Sequence, residues 1–107
     1  MPAVMGPTVI SAERDARKAR LVLGGDLDMA ARFQAEQALD QLLSEPVEQL
    51  VVDLGEVTFV DSTGMGLVLE LDDRARADGF KLRLLRGSDD VQRVFELAGV
   101  ADVLPFA

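Results

Sequence analysis

Residues 59–70 read FVDSTGMGLVLE and are the most informative segment of the chain. Within this segment an apolar run ends at the polar residues 61–63, and the most apolar helical stretch of the chain follows. Ser62 or Thr63 in this position is typical of a helix N-terminus, where a side-chain oxygen satisfies a backbone N–H group. Gly64 allows close backbone approach, whereas Gly66 costs a helix interior roughly 1 kcal/mol. The residues favour an ordinary helix cap and leave open an anion site at the same place.

The composition predicts one folded domain spanning residues 1–107, with a loose N-terminal lead-in at residues 1–7. Of the 107 residues, 49% are apolar, yet no apolar run approaches the roughly 20 residues that span a bilayer. Cysteine and histidine are both absent. Cysteine nucleophiles, Ser-His-Asp chemistry and ordinary zinc ligation are therefore excluded. We expect a cytoplasmic protein.

The net charge of −8 argues against binding to nucleic acid or to an anionic membrane. The distribution of charge is uneven, because residues 33–73 contain ten Asp or Glu residues and no Lys or Arg. Ser62 lies within this acidic middle, which would steer a basic partner towards it. A solvated face kept soluble by its charge is the alternative, and the sequence leaves both open.

Apolar periodicity and turn residues predict alternating strands and helices. We expect an α/β fold with a mixed, largely parallel sheet of four or five strands and helices mainly on one face. The predicted order is strand 8–11, charged hairpin tip 13–20, strand 21–23 ending at Gly24-Gly25, helix 29–44, strand 50–54, turn 55–57, helix 62–77, strand 81–85, a helix from Ser88 to Gly99, and a short strand at 103–104.

The first predicted helix carries one apolar stripe, with Asp28 as its expected N-cap. Phe33 falls opposite that stripe on an ideal helical wheel. We expect it to pack against a neighbouring loop, and an exposed aromatic in a partner patch is the alternative.

Residues 57–66, VTFVDSTGMG, closely resemble the signature of STAS domains, in particular those of bacterial anti-sigma factor antagonists. The resemblance continues in GDLD at residues 25–28, LVVDL at 50–54 and FELAGV at 95–100, so it covers nearly the whole chain in order. It implies the same single-domain architecture. The phosphorylated serine of the family maps onto Ser62.

The resemblance also implies a function and a partner. In that family, the unphosphorylated protein binds an anti-sigma factor that is also a serine kinase, and a sigma factor is thereby released. Phosphate transfer from the kinase's ATP ends the complex. The protein partner would therefore carry the ATP, and this chain would need no cofactor and no metal. We expect a monomer or weak dimer that takes part in stress regulation of transcription.

The residues around Ser62 have alternative roles. Asp61 orients the Ser62 hydroxyl or is read by the kinase, and a turn-forming role competes with both. Thr63 is a second phosphoacceptor candidate or a helix-start residue. Gly64 lets either the partner or the preceding loop come close.

Three further residues complete the predicted partner-binding set. Asp26 and Asp28 should lie near Ser62, because loops after parallel strands gather at one edge of a sheet. Helix capping is the competing role, and we favour it for Asp28. Met65 lies beside the core stripe of the motif helix, where core packing competes with partial exposure at a recognition surface.

Other chemistry fits the sequence less well. A metal site like that of response-regulator receivers would need an opening aspartate pair and a suitably placed lysine, which the sequence lacks. A serine nucleophile without histidine would need a basic side chain, and none lies near Ser62 in sequence. We therefore expect no enzymatic activity. The alternatives are a non-phosphorylated STAS accessory subunit docking on a transporter ATPase or sensor assembly, and a small-anion site disfavoured by the acidic surroundings.

Overall fold

The computed structural model describes residues 8–107, which form an opening hairpin followed by alternating helices and strands. The loose lead-in expected at residues 1–7 lies outside this described range. Among residues 8–107, no helix is both long enough and apolar enough to cross a membrane. In chain order the elements are β1 (Val9–Asp15), β2 (Lys18–Leu27), α1 (Met29–Leu42), β3 (Gln49–Val60), α2 (Ser62–Asp78), β4 (Lys81–Leu85) and α3 (Asp89–Leu97).

The four strands form one mixed sheet in the order β1-β2-β3-β4. β1 is antiparallel to β2, and the other neighbours are parallel. Right-handed crossovers that step in one direction put α1 and α2 on the same face. The strand side chains agree, because Leu21, Val52 and Leu84 are buried, whereas Arg20 and Arg83 on the opposite face are exposed. The expected mixed sheet with helices mainly on one face is confirmed.

Two strand ends predicted at glycines are wrong, because both strands run through them. β2 continues past residues 24–25, and β3 continues past residues 55–57. Shifts in the β2–β3 register absorb the irregularity. A Cβ on Gly24 would lie 2.5 Å from the Cδ1 atom of Ile10. This glycine therefore makes room for a side chain of β1 instead of ending a strand.

Other boundaries also differ from the prediction. Only residues 16–17 separate β1 from β2, so the hairpin tip is much shorter than expected. Helix α1 ends at Leu42, two residues earlier than predicted. The strand predicted at residues 103–104 is wrong, since that segment is a turn. In its place, a single parallel bridge joins Leu84 to Phe106.

Phe33 does not pack against a loop, as the sequence led us to expect. Its side chain is 63% exposed. Helix α1 buries Ala31, Ala35 and Leu39 against the sheet. Phe33 is turned outward because it lies on the opposite side of the helix, so the alternative of an exposed aromatic is the one observed.

Arg14 ties the end of α1 to the hairpin. Its Nη1 donates to the carbonyl oxygens of Leu42 at 2.7 Å and Glu45 at 2.8 Å, and its Nη2 donates to the Pro46 carbonyl at 2.7 Å. Carbonyls at a helix C-terminus lack intrahelical partners and favour a nearby cation. The sequence assigned Arg14 to a solvated hairpin tip, so this capping role is new.

Replacing Arg14 with Met is expected to lower the free energy of unfolding by about 1–3 kcal/mol, because several carbonyls lose a charged donor. Urea unfolding followed by circular dichroism would measure the change. The matched control is Arg17→Met, since Arg17 contacts Glu48 only at 3.7 Å on the surface. The control should change stability by less than about 1 kcal/mol. Equal losses in the two variants would contradict the capping role.

Candidate functional site

Two helix starts lie side by side at one edge of the sheet. In the parallel pairing of β2 with β3, Leu27 is the partner of Val60. The Asp61 N–H donates to the Leu27 carbonyl at 3.4 Å. Since α1 follows β2 directly and α2 follows β3 directly, this pairing brings the two helix N-termini together.

An aspartate caps each of these helices. The Asp28 Oδ1 accepts from the Ala31 N–H at 3.0 Å, and the Asp61 Oδ1 accepts from the Gly64 N–H at 3.0 Å. The favoured capping role of Asp28 is therefore confirmed. The interpretation of Ser62 or Thr63 as the cap of α2 is wrong, because Asp61 takes that position and Ser62 is the first helical residue.

The Ser62 side chain is exposed at this first position of α2. Its own N–H and that of Thr63 are among the first four of the helix, which have no intrahelical acceptor. The two following N–H groups are already bound, because Gly64 and Met65 donate to the side chain and the carbonyl of Asp61. The helix start thus presents free donors beside a hydroxyl.

The other predicted site residues differ in exposure. Asp26 is exposed, and its Oδ1 accepts from the Thr58 hydroxyl at 3.1 Å. Thr63 and Met65 are half-buried, and Met65 packs against the core. Among residues 8–107, no three Asp or Glu side chains lie together as a group that could hold a metal ion.

Gly64 is buried under the end of β2. A Cβ added at this position would lie 2.0 Å from the Leu27 carbonyl oxygen and 2.9 Å from the Leu27 carbonyl carbon. Such contacts are impossible without moving the backbone, so only glycine fits here. The close approach at Gly64 is made by the end of β2 and not by the preceding loop, as the sequence analysis had allowed.

Arg32 is a functional candidate that the sequence analysis did not identify. Its Nη1 donates to the Thr63 carbonyl at 3.4 Å, and its Nη2 binds the Glu70 carboxylate. Its Nε lies 3.5 Å from Glu36 Oε2. The hydrogen bond to Glu70 is the main reason why the pKa of Arg32 is raised, and the Glu36 charge adds to it. The only hint in the sequence was the i,i+4 spacing of Arg32 and Glu36.

Arg32 also explains the glycine inside α2. A Cβ on Gly66 would lie 3.0 Å from the Arg32 Nη1. The guanidinium therefore crosses α2 at a position that has no side chain. Gly66 is a poor helix former, but its lack of a side chain leaves room for Arg32, which joins α1 to α2 close to Ser62.

Two large apolar side chains at the same edge of the sheet were not predicted as site residues from the sequence. Met29 opens α1 directly after Asp28 and is 73% exposed. Phe59 lies next to the end of β3, pairs in register with Asp26 and is 51% exposed. These two side chains add exposed apolar area at the edge of the sheet that carries Ser62.

Residues 10–105 match the family model described as Mlab, STAS domain. The anti-sigma-B factor antagonist of Staphylococcus aureus (strain NCTC 8325 / PS 47) is 29% identical to the chain over 82 residues. That match covers 77% of this chain and 76% of the relative.

Two solved structures have a similar fold. The anti-sigma factor antagonist SpoIIAA in its unphosphorylated form gives a TM-score of 0.74 at 26% identity, covering 91% of this chain and 86% of that one. The Bacillus cell fate determinant SpoIIAA in its phosphorylated form gives 0.65 at 26% identity, covering 91% and 89%. The resemblance stated from the sequence is confirmed.

The two glycines of the motif are expected to differ in how much the same substitution costs. Gly64→Ala should destabilise the protein by about 1–3 kcal/mol or more, since a rigid backbone carbonyl occupies the space. Gly66→Ala should change stability by no more than about 1 kcal/mol, because a better helix former offsets a displaced, flexible arginine. Thermal and urea unfolding of the two variants would measure both effects. A Gly64→Ala variant as stable as the parent protein would contradict the contact with Leu27.

Proposed function

The chain belongs to the STAS domain family, and we propose that it is an anti-sigma factor antagonist switched by phosphorylation of Ser62. The unphosphorylated form binds an anti-sigma factor that is also a serine kinase, and this binding releases a sigma factor. Phosphate on Ser62 ends the complex. Relatives that are named anti-sigma factor antagonists support the proposal.

The observation that carries the proposal is the exposed Ser62 hydroxyl on the first residue of α2. A phosphate at a helix N-terminus is stabilised by free backbone N–H groups and by the helix dipole. Asp61 already secures the helix start, so the domain can accept the modification without refolding. The similarity of the chain to both the unphosphorylated and the phosphorylated form of SpoIIAA supports a fold that tolerates phosphate.

The phosphoryl group would come from ATP bound to the partner. The Ser62 Oγ forms the new bond to the γ-phosphorus, the bond from that phosphorus to the β-bridging oxygen breaks, and ADP leaves. A base on the kinase takes the hydroxyl proton. This chain contributes only the acceptor and its presentation, so it has no catalytic residue and no cofactor of its own.

Charge then explains why binding ends. A phosphoserine adds about −1.5 to −2 charge at pH 7. Asp26, Asp28 and Asp61 surround the same edge of the sheet. Arg32 offers little compensation there, because Glu70 and Glu36 already bind it. A partner surface fitted to the neutral serine would meet both new bulk and concentrated negative charge.

The proposed partner-binding set remains Asp26, Asp28, Asp61, Ser62, Thr63, Gly64 and Met65. Within it, Gly64 would act indirectly by holding the helix start in place, because it is buried. Met29 and Phe59 extend the set with apolar area, which typically supplies most of the affinity of such a contact.

The test is to incubate the purified domain with ATP and a kinase anti-sigma factor from the same genome, and to measure intact mass. One added phosphate is expected on the parent protein and none on Ser62→Ala. Thr63→Ala is the matched control and should still gain one phosphate.

Two outcomes would redirect the proposal. Phosphate that persists on Ser62→Ala and disappears on Thr63→Ala would move the acceptor to Thr63. A domain that no such kinase modifies, but that binds stably to a transporter ATPase or a sensor assembly, would favour the accessory-subunit function.

A second prediction separates the charge of the phosphate from its bulk. Ser62→Glu should weaken binding to the anti-sigma factor more than Ser62→Gln, because the two side chains are equal in size and only one is charged. The Glu variant should melt no lower than the parent protein, since a carboxylate in the first helical turn contributes about 0.3–1 kcal/mol. Isothermal titration calorimetry and thermal unfolding would measure these effects. Equal loss of binding in both variants would assign the switch to bulk alone.

A further inference from the structure

A groove runs between α1 and α2 on the outer side of the helical layer. Its volume is about 640 Å³. The buried side chains of Leu39, Leu67 and Leu71 form its floor, and the exposed ring of Phe33 stands beside them. Spanning residues 33–40 of α1, the groove is about two helical turns long. We call it the α1–α2 groove.

The rim of the α1–α2 groove is acidic. Four carboxylates line it, and Arg74 is the one cation among the lining residues. Arg74 is engaged by Asp40 at 3.7 Å and by Asp78 at 3.6 Å. Asp73 takes part in none of the ion pairs found among residues 8–107. The lining carboxylates are Glu36, Asp40, Glu70 and Asp73.

We propose that the α1–α2 groove binds a short, basic, amphipathic helix of a partner protein. An apolar floor two turns long accepts aliphatic side chains spaced at i, i+3 or i+4, and i+7 on such a helix. The acidic rim complements lysine or arginine on the flanks of that helix. A second copy of this chain is a poor occupant, because it carries the same net charge of −8.

The inference goes beyond the proposed switch, because it concerns a different surface. The lining residues of α2 begin at Leu67, which lies five residues, or about 7 Å along the helix axis, beyond Ser62. Its test requires neither ATP nor a kinase. Failure of the groove proposal and failure of the phosphorylation proposal can therefore be told apart.

The experiment titrates the ¹⁵N-labelled protein with a synthetic peptide of about 18 residues, long enough to form a helix. The peptide carries Leu at three- and four-residue spacing and Lys at the other positions. Amide shifts are expected along the facing sides of α1 and α2. Two control peptides, one with Glu for Lys and one with Gln for Leu, separate charge from apolar contact, and both should bind at least about ten-fold more weakly.

Matched variants of the protein locate the binding. Phe33→Ala should raise the dissociation constant about five-fold or more, whereas Leu97→Ala removes an exposed apolar side chain of α3 outside the groove and should leave it unchanged. Asp73→Lys should weaken binding more than Asp102→Lys, which makes the same change of charge away from the groove. The amide spectrum of each variant confirms that it is folded.

Several results would overturn the proposal. They are the absence of shifts at millimolar peptide, shifts confined to the open face of the sheet, or a Phe33→Ala variant that binds as well as the parent. Groove shifts that grow with protein concentration in the absence of peptide would assign the groove to a second copy instead.

Discussion

The contact between the Leu27 carbonyl and Gly64 fixes the end of β2 against the first turn of α2. Because residue 64 has no Cβ, the backbone at the end of β2 can contact the first turn of α2. The N-termini of α1 and α2 therefore come together. The Asp61 N–H completes this junction by donating to the same carbonyl. The exposure of Ser62 and the free N–H groups around it both depend on this arrangement.

A second junction joins the two helices one turn further along. Arg32 reaches from α1 across Gly66 to the Thr63 carbonyl and to Glu70. Arg32 brings a positive charge next to the acidic segment of residues 33–73, but it is already paired with the carboxylates of Glu36 and Glu70. The surface therefore stays negative on both sides of this arginine, at the helix starts and along the α1–α2 groove.

Burial on only one face of the sheet explains why recognition features gather on the helical side. The open face carries exposed Arg20 and Arg83, and the Arg20 guanidinium lies 3.1 Å from the Asp53 carboxylate. The helical side instead presents a hydroxyl at a helix start, the exposed side chains of Met29 and Phe33, and an acidic groove. Met29 and Phe33 both lie on α1, whereas Phe59 lies on β3 beside the buried Val60 and faces the other side of that strand.

The class of fold and the motif could be predicted from the sequence alone. Apolar periodicity predicted the helices, the one-faced mixed sheet and the cap at Asp28, and residues 57–66 carried the family resemblance. The remaining features depend on contacts between elements that are distant in the chain. Gly24 and Gly55 resemble turn residues in sequence, but Gly24 pairs with Glu56 and Gly55 lies at the irregularity of this pairing within β3. Gly66 and Arg32 are 34 residues apart in the chain. The room that Gly66 leaves for the Arg32 guanidinium therefore appears only when α1 and α2 pack together. Local sequence records propensity, whereas contacts between distant residues depend on how the elements pack.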